Sequence, residues 1–368
     1  MGTNRYITDR TKQFFYLADE RIDAGSREIL KKKFRSMPYI NELSHFLEEW
    51  FDDSPYLVVN TSGSTGKPKP ISVNKEMMMH SALNTCRTLG LSAGDTALLC
   101  MPLDYIAGKM MVVRALVASL KLVICQPDGH PLANITEPLR FAAMIPLQIY
   151  NSMQNESENR QLQQIDIVII GGGAIDEQME TRLHNYPNRI YSTYGMTETL
   201  SHIALRRING EKASRSYHPF PSVRLFLSEE GTLVIDAPDV CEKRLYTNDI
   251  AELHPDGSFT IIGRKDNIIN SGGIKLQTEK LEEEIRTFLT IPFAVTAVPD
   301  PKFGEKVVLL LEKNNLPITT PEIEKLIEKH LNKYHRPKQI LITDKIPLTE
   351  TGKISRSECR QLARSLIK

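Results

Sequence analysis

Between residues 54 and 195, short β-rich apolar runs alternate with stretches of helical spacing, and no other feature of the chain restricts its fold as much. The runs are "YLVVN", "TALLCM", "KLVIC", "FAAMI", "IDIVII" and "RIYSTY", separated by segments such as "KEMMMHSALNTCRTL" and "DEQMETRLHNY". A strand buries a face at period two and a helix buries a stripe at period 3.6, so such alternation is satisfied by sheets layered with helices. An α/β fold is therefore predicted for this region.

From 201 to 263 the helical patterns vanish. "SHIALRRI", "VRLFLSEEGTLVI" and "AELHPDGSFTII" read as hairpins with Glu-Gly and Asp-Gly turns, which predicts a small antiparallel β subdomain. Beyond Arg264 the order becomes helix ("QTEKLEEEIRTFL"), strand ("FAVTAVP"), strand ("KVVLLLE"), helix ("PEIEKLIEKHLNKY") and strand ("QILITD"). That is a separate α+β domain of about a hundred residues, a size that folds by itself. The expected division is a large N-terminal domain, 1–264, carrying the β-rich subdomain at 201–263, and a small mobile α+β C-terminal domain, 265–368. The first 50 residues read as helical and polar. There is no internal repeat.

The chain has 368 residues, 41% hydrophobic and 25% charged, enough for two buried cores. Its 46 Lys and Arg against 45 Asp and Glu give a net charge of +1. No global field recruits nucleic acid or an anionic membrane, and any anion must be bound locally. Cys86, Cys100, Cys125, Cys241 and Cys359 are scattered without a C-x-x-C pair, and "MGTNRYITDR" lacks an apolar signal region, so a cytoplasmic location is expected. The most apolar stretch, "MMVVRALVASLKLVIC", is broken by Arg114 and Lys121, so no membrane span is expected.

Local anion binding has an evident candidate in "TSGSTGKPKP", residues 61–70, directly after "YLVVN". Thr61, Ser62, Gly63, Ser64, Thr65, Gly66 and Lys67 are small, hydroxylated or basic, and only small residues let backbone N–H groups close around a polyphosphate. A nucleotide is the implied ligand, against the plainer reading of a polar surface loop. The loop is not that of the common NTPases, which has Gly five residues before Gly66, where Thr61 stands, and Ser or Thr after Lys67, where Pro68 stands. "GGGAI" at 171–175 likewise falls short of a dinucleotide fingerprint, with Asp176 in place of the third glycine. "YGMTET" at 194–199 follows a strand and presents a hydroxyl and a carboxylate where α/β sheets place ligands, although a Thr-Glu pair is elsewhere commonly a helix cap.

These segments, with "YTNDIAEL" (246–253), "GRKDNIINSGGIKL" (263–276) and "PLTETGKISR" (347–356), resemble in order the motifs of the acyl-adenylate-forming superfamily. That superfamily includes acyl- and aryl-CoA ligases, peptide-synthetase adenylation domains and luciferases, and the resemblance covers residues from 54 to 368. It implies an ATP-dependent acid-CoA ligase whose co-substrates are ATP with Mg²⁺ and coenzyme A, together with a small-molecule carboxylic acid. A carboxylate attacks the α-phosphorus of ATP and releases pyrophosphate; a thiol then attacks the mixed anhydride and releases AMP.

The same resemblance assigns roles. Residues 61–67 clamp the β- and γ-phosphates, Tyr194 lies against the adenine, Gly195 beside it also binds ATP, Thr197 contacts the α-phosphate and Glu198 holds Mg²⁺. Gly172, Gly173 and Ala174 form a wall of the adenine and acyl pockets. Asp249 accepts the ribose hydroxyls with help from Arg264, and Lys353 bridges carboxylate and phosphate oxygens as the adenylate forms. Asp266 matches the hinge, and Gly272 and Gly273 line the approach of the thiol. Asn248 stands where the family usually has Gly, and Asn also tolerates left-handed backbone.

The acid is addressed by "PLDYIAGKMMVVRALVAS", where the specificity helix is expected, with Tyr105, Lys109 and Arg114 as candidate substrate residues. Its apolar density implies burial, and a buried Arg114 needs a partner. A substrate carboxylate suits a guanidinium; Asp104 or another acid of the chain is the alternative. Lys109, five residues earlier, lies about 140° around the helix and shares that face only if it sits at a frayed entrance. The segment most resembles that of the 2-succinylbenzoate-CoA ligases of menaquinone synthesis, which carry arginine here for the succinyl carboxylate. Two departures are Tyr105, where many relatives have His, and a short region before the phosphate loop, which implies a first subdomain pared down or completed by a partner chain. The oligomeric state is left open, a homodimer included. The alternatives are another aryl or short-chain acyl-CoA ligase, or a non-catalytic nucleotide-binding relative, which an intact Lys353 and Glu198 argue against.

Overall fold

The computed structural model describes residues 6–60, 70–173, 175, 177–313, 319–348 and 354–367. They form two compact units, the first from Met1–Leu225, Ile235–Leu245 and Pro255–Ser258, the second from Phe226–Val234, Tyr246–His254 and Phe259–Lys368. The division therefore runs through the β-rich stretch 201–263 and groups much of it with the C-terminal residues.

The first unit is built on a nine-stranded sheet with the order His218–Pro219, His202–Arg207, Arg189–Gly195, Ile167–Ile170, Phe141–Met144, Thr96–Leu99, Lys121–Ile124, Phe15–Leu17, Glu20–Ile22. The six strands from Arg189–Gly195 to Phe15–Leu17 are parallel, and each flanking strand pairs antiparallel with its neighbour. Central strands such as Ile167–Ile170 and Phe141–Met144 are buried at every position, as expected for strands covered by helices on both faces.

Two sequence expectations are corrected here. Residues 6–50 are not simply helical and polar, since Phe15–Leu17 and Glu20–Ile22 form a hairpin that joins the sheet edge through Lys121–Ile124. Phe15, Leu17, Ile22, Leu43, Phe46 and Trp50 are all buried. Strands of three residues are too short for a periodicity to register. The run "YLVVN" is a strand, but outside the main sheet: Tyr56–Asn60 forms a two-stranded ribbon with Pro70–Asn74. Its alternate burial leaves Tyr56 and Val58 exposed and Leu57 and Val59 buried.

The sheet of the β-rich region has the order Arg224–Leu227, Thr232–Asp236, Leu245–Leu253, Phe259–Arg264. In the rest of the second unit, Phe293–Asp300 and Gly304–Glu312 form the longest antiparallel pair of a five-stranded sheet. Period two distributes their residues between two cores. Phe293, Val295, Ala297, Val307, Leu309 and Leu311 pack with Leu281, Ile285, Ile323 and Ile327 of helices Thr278–Arg286 and Thr320–His330. Ala294, Val298, Val308 and Leu310 pack with Cys359 and Ala363 of helix Arg356–Leu366. Among the described residues no helix is long and apolar enough to cross a membrane, and all five cysteines are free thiols.

Candidate active site

In the first unit the expected site residues gather at the carboxyl ends of the parallel strands, where an open α/β sheet places its ligands. Ile167–Ile170 and Arg189–Gly195 are parallel neighbours, and both end in glycine-bearing turns. Gly172 has φ +75°, a conformation open to glycine. Gly195 is required for a different reason, because a Cβ there would lie 2.3 Å from the Ser201 carbonyl oxygen and 2.5 Å from the His202 Cα. That close approach folds "MTETLSH" back onto the strand end.

Within the fold-back, Thr197–Thr199 is a single 3-10 turn whose entry is tied by the Met196 N–H donating to Thr199 Oγ1 at 3.0 Å. Buried Leu200 follows with φ +65°, a left-handed conformation that costs a non-glycine residue about 1 kcal/mol. The turn leaves Thr197 half-buried and Glu198 exposed. Tyr194 packs against Tyr217 with ring centroids 5.9 Å apart. The Tyr217 hydroxyl hydrogen-bonds Ser192 Oγ at 2.8 Å, and the Arg206 guanidinium lies 5.6 Å from its ring centroid. Arg206 in turn clasps Glu180 with two bonds of 2.6 and 2.8 Å. Glu180 belongs to helix Glu177–Leu183, just after the glycine turn, so the two turns are braced from behind.

Arg114 lies in helix Ile106–Ala118, buried from Gly108 onward. The helix enters close against the end of strand Thr96–Leu99, since a Cβ on Gly108 would meet the Pro102 carbonyl oxygen at 2.2 Å. Arg114 is 2% exposed, and among the described residues no carboxylate pairs with it. Its Nη2 donates to Ser201 Oγ at 2.6 Å, its Nη1 meets Met111 Sδ at 3.6 Å, and its Nε has no hydrogen-bond partner. Burial pushes its pKa down to about 10. The Arg114–Asp104 pairing weighed from the sequence does not form, and Asp104 is exposed. An uncompensated buried guanidinium, held three residues from Glu198, is suited to receiving an anion.

Ser201 and His202 escaped the sequence reading. "SH" at the start of a strand carries no motif, and its part depends on a partner 87 residues away. The other two expected substrate residues do not join Arg114. Lys109 is buried on a different side, pairing with Glu49 at 3.5 Å and lying 5.1 Å from the Phe46 ring centroid. Tyr105 caps the helix entry, half-buried, and bridges to Asn60. Asn60 is itself the register partner of Pro70, so Tyr105 sits beside the two residues that flank segment 61–69. Thr61, Ser62, Gly63, Ser64, Thr65, Gly66 and Lys67 lie outside the described residues, as do Ala174 and Lys353.

The second unit brings together three further site residues. Asp249, buried on strand Leu245–Leu253, is the register partner of Arg264 on Phe259–Arg264, and Arg264 Nη1 donates to Asp249 Oδ1 at 3.1 Å. Asp266, on the 3-10 turn Lys265–Asn267, accepts from Asn248 Nδ2 at 3.0 Å and lies 3.5 Å from Arg264 Nη2. Gly272 and Gly273 are the two-residue loop of a hairpin, with φ +60° and +82°, the left-handed pair that a type I′ turn requires. Downstream, Arg356 forms a two-pronged pair with buried Glu282, at 2.6 and 2.8 Å, and a Leu348–Ile354 bridge brackets the segment that contains Lys353.

Comparison with known proteins bears on the whole assembly. The family model described as AMP-binding enzyme matches residues 19–239, and that described as AMP-binding enzyme C-terminal domain matches 293–353. The 2-succinylbenzoate–CoA ligase of a Geobacillus species is 25% identical over 377 residues, spanning 94% of this chain and 76% of that protein. Among solved structures, an acyl-CoA synthetase (AMP-forming)/AMP-acid ligase II-like protein from Dyadobacter fermentans is 33% identical, with a TM-score of 0.61, over 88% of this chain and 94% of its own. The O-succinylbenzoate coenzyme A synthetase of Bacillus subtilis, in complex with ATP and magnesium ion, shares the fold at 19% identity, with a TM-score of 0.67 over 82% of this chain and 69% of that one.

Proposed function

The chain belongs to the AMP-binding enzyme family, and from that premise we propose that it is an AMP-forming acid-CoA ligase whose acid carries a second carboxylate, 2-succinylbenzoate. The observation that carries the choice of acid is Arg114, buried, paired with no carboxylate among the described residues, and with an unsatisfied Nε. A guanidinium kept charged in an apolar helix is costly unless an anion completes it. A diacid supplies that anion and still offers a carboxylate for activation. The similar ligase from Geobacillus supports the same acid.

The residues divide the work as follows. Arg114 binds the non-reacting carboxylate while the other carboxylate oxygen attacks the α-phosphorus of ATP and pyrophosphate departs. Thr197 donates to the α-phosphate, and Tyr194, held by Tyr217, lies along the adenine. Asp249 accepts the ribose hydroxyls, with Arg264 holding its carboxylate in place. Residues 61–67 surround the β- and γ-phosphates, and Lys353 supplies a positive charge to the oxygens on which negative charge develops. In the second step the coenzyme A thiolate attacks the acyl carbon and AMP leaves, with Gly272 and Gly273 on the thiol's path and Asp266 as the hinge of the C-terminal domain, 265–368. Glu198 is the residue that would hold Mg²⁺. An exposed single carboxylate fits that ion, which keeps most of its waters and takes few protein ligands. Bound with ATP, the ion neutralises phosphate charge. Free cysteines and the small-molecule substrates fit a cytoplasmic enzyme.

The test is a panel of acids assayed for CoA-dependent AMP formation, with 2-succinylbenzoate and benzoate compared in the wild type and in Arg114→Leu. Truncating one partner of a desolvated charge pair costs about 2–5 kcal/mol, so kcat/KM should fall steeply for the diacid and hardly for benzoate. Equal losses for both acids would reduce the function to an acid-CoA ligase with another acid. ATP binding without pyrophosphate release from any acid would favour a non-catalytic relative.

A further inference from the structure

Behind Arg114 runs a series of buried and half-buried polar groups, and the direction of each hydrogen bond in it can be deduced. Thr85 Oγ1 lies 3.1 Å from the Ser81 carbonyl oxygen, its helical neighbour one turn back, and 3.1 Å from His202 Nε2. A carbonyl only accepts, so the single Thr85 hydroxyl proton goes to Ser81 and Thr85 must accept from His202 Nε2–H. Burial, with Arg114 adding to it, holds the His202 pKa well below the usual histidine value. A neutral imidazole protonated at Nε2 has a bare Nδ1, and Ser201 Oγ lies 3.3 Å from it. The Ser201 proton therefore points to His202, and the Ser201 oxygen is left to accept from Arg114 Nη2 at 2.6 Å.

We propose that His202 is a positioning residue for the acid site: as the Nε2–H tautomer it fixes the rotor of Ser201, and Ser201 fixes the guanidinium of Arg114 against the incoming carboxylate. The proposal rests on the acid assignment above, which it deepens. The strand supports it, because the pairing of His202–Arg207 with Arg189–Gly195 shifts register between His202 and Ala204. Such an irregularity re-aims a side chain, and both His202 and Ile203 are turned into the core. The Phe220 ring, with its centroid 5.4 Å away, closes the other side of the imidazole. One consequence is that Ser201 has no proton to offer a ligand. Of this pair, only the remaining Arg114 N–H groups can donate to the carboxylate, the orphaned Nε among them.

Two substitutions separate the ends of the series. His202→Asn puts an amide oxygen near the place of Nδ1, keeping the acceptor for Ser201 and losing the donor to Thr85. His202→Gln puts an amide nitrogen near the place of Nε2, keeping Thr85 and losing Ser201. With 2-succinylbenzoate and ATP in a pyrophosphate-release assay, His202→Asn should hold KM for the acid within about two-fold, while His202→Gln and Ser201→Ala raise it about ten-fold, the size of one hydrogen bond to a charged group. KM for ATP should not move in any of them. Thermal stability should rank the other way, with Gln above Asn. Acid KM values that follow the stability order, or an unchanged KM in Ser201→Ala, would overturn the proposal. Long-range ¹H–¹⁵N spectra of the wild type at neutral pH, assigned with His202→Asn, test the tautomer without turnover. A neutral Nε2–H ring supports the proposal, and an Nδ1–H ring or an imidazolium overturns it. If the wild type ignores 2-succinylbenzoate, the acid assignment fails by itself, and the spectrum still decides the orientation of the series.

Discussion

Replacing Arg114 by methionine should leave the ligand-free protein at least as stable as the wild type while abolishing its response to a dicarboxylic acid. Burial pushes the Arg114 pKa down to about 10, well below the ordinary arginine value. At about 1.4 kcal/mol per unit, the charged form is disfavoured in the fold by roughly 3 kcal/mol. The sign follows from the direction of the shift. From about pH 10 up to the ordinary arginine pKa the unfolded chain binds the proton and the folded chain does not, so stability rises with pH there and the full penalty applies at neutral pH. Methionine is unbranched and adapts to an apolar site, and it removes that penalty. It also removes the bond to Ser201, worth about 1.5–3 kcal/mol for a charged donor. The net change in the ligand-free protein lies between zero and about 1.5 kcal/mol in favour of the variant. Thermal unfolding with and without 2-succinylbenzoate reads both halves. At a hundred times its dissociation constant the acid should stabilise the wild type by about 2.7 kcal/mol and the variant by nothing measurable. A ligand-free variant weaker by more than about 1 kcal/mol, still stabilised by the acid, would refute the reasoning and make Arg114 a structural residue.

Three more outcomes follow from the same geometry. Gly195→Ala forces a methyl group to within 2.3 Å of the Ser201 carbonyl oxygen; overpacking of this kind costs about 1–3 kcal/mol, and KM for both ATP and acid should rise, whereas unchanged kinetics would mean that the fold-back does not shape the site. Arg356→Ala leaves Glu282, 2% exposed in its side chain, without its two-pronged partner; the loss should be about 3 kcal/mol in denaturant unfolding, and joint replacement as Glu282→Leu with Arg356→Met should recover part of it. Lys353→Ala should lose about 10²–10³ in adenylate formation, the worth of one oriented electrostatic group, while thioester formation from supplied acyl-adenylate persists, so equal losses in the two half-reactions would count against the assignment.

What could be read from the sequence divides along a physical line. Thr96–Leu99, Phe141–Met144 and Ile167–Ile170 were legible because each is buried on both faces and so is written as a continuous apolar run. Phe15–Leu17 was not, because three residues take their strand identity from pairing with Lys121–Ile124, more than a hundred positions away. "YLVVN" was legible as a strand but not as a member of a separate ribbon, since pairing partners are set by the fold rather than by local composition. The site divides in the same way. Arg114 was visible as a charge inside an apolar helix, an anomaly that needs a reason wherever it occurs. Lys109 presents the same anomaly, yet its reason is Glu49, sixty positions earlier, and nothing local distinguishes the two. Ser201 and His202 present no anomaly at all. Groups that touch a ligand must have particular chemistry and therefore leave a motif, whereas a group that orients another needs only a donor or an acceptor at the right place, which many residue types supply. His202 should then be replaceable by residues that keep an acceptor toward Ser201, in a position where Arg114 is not replaceable at all.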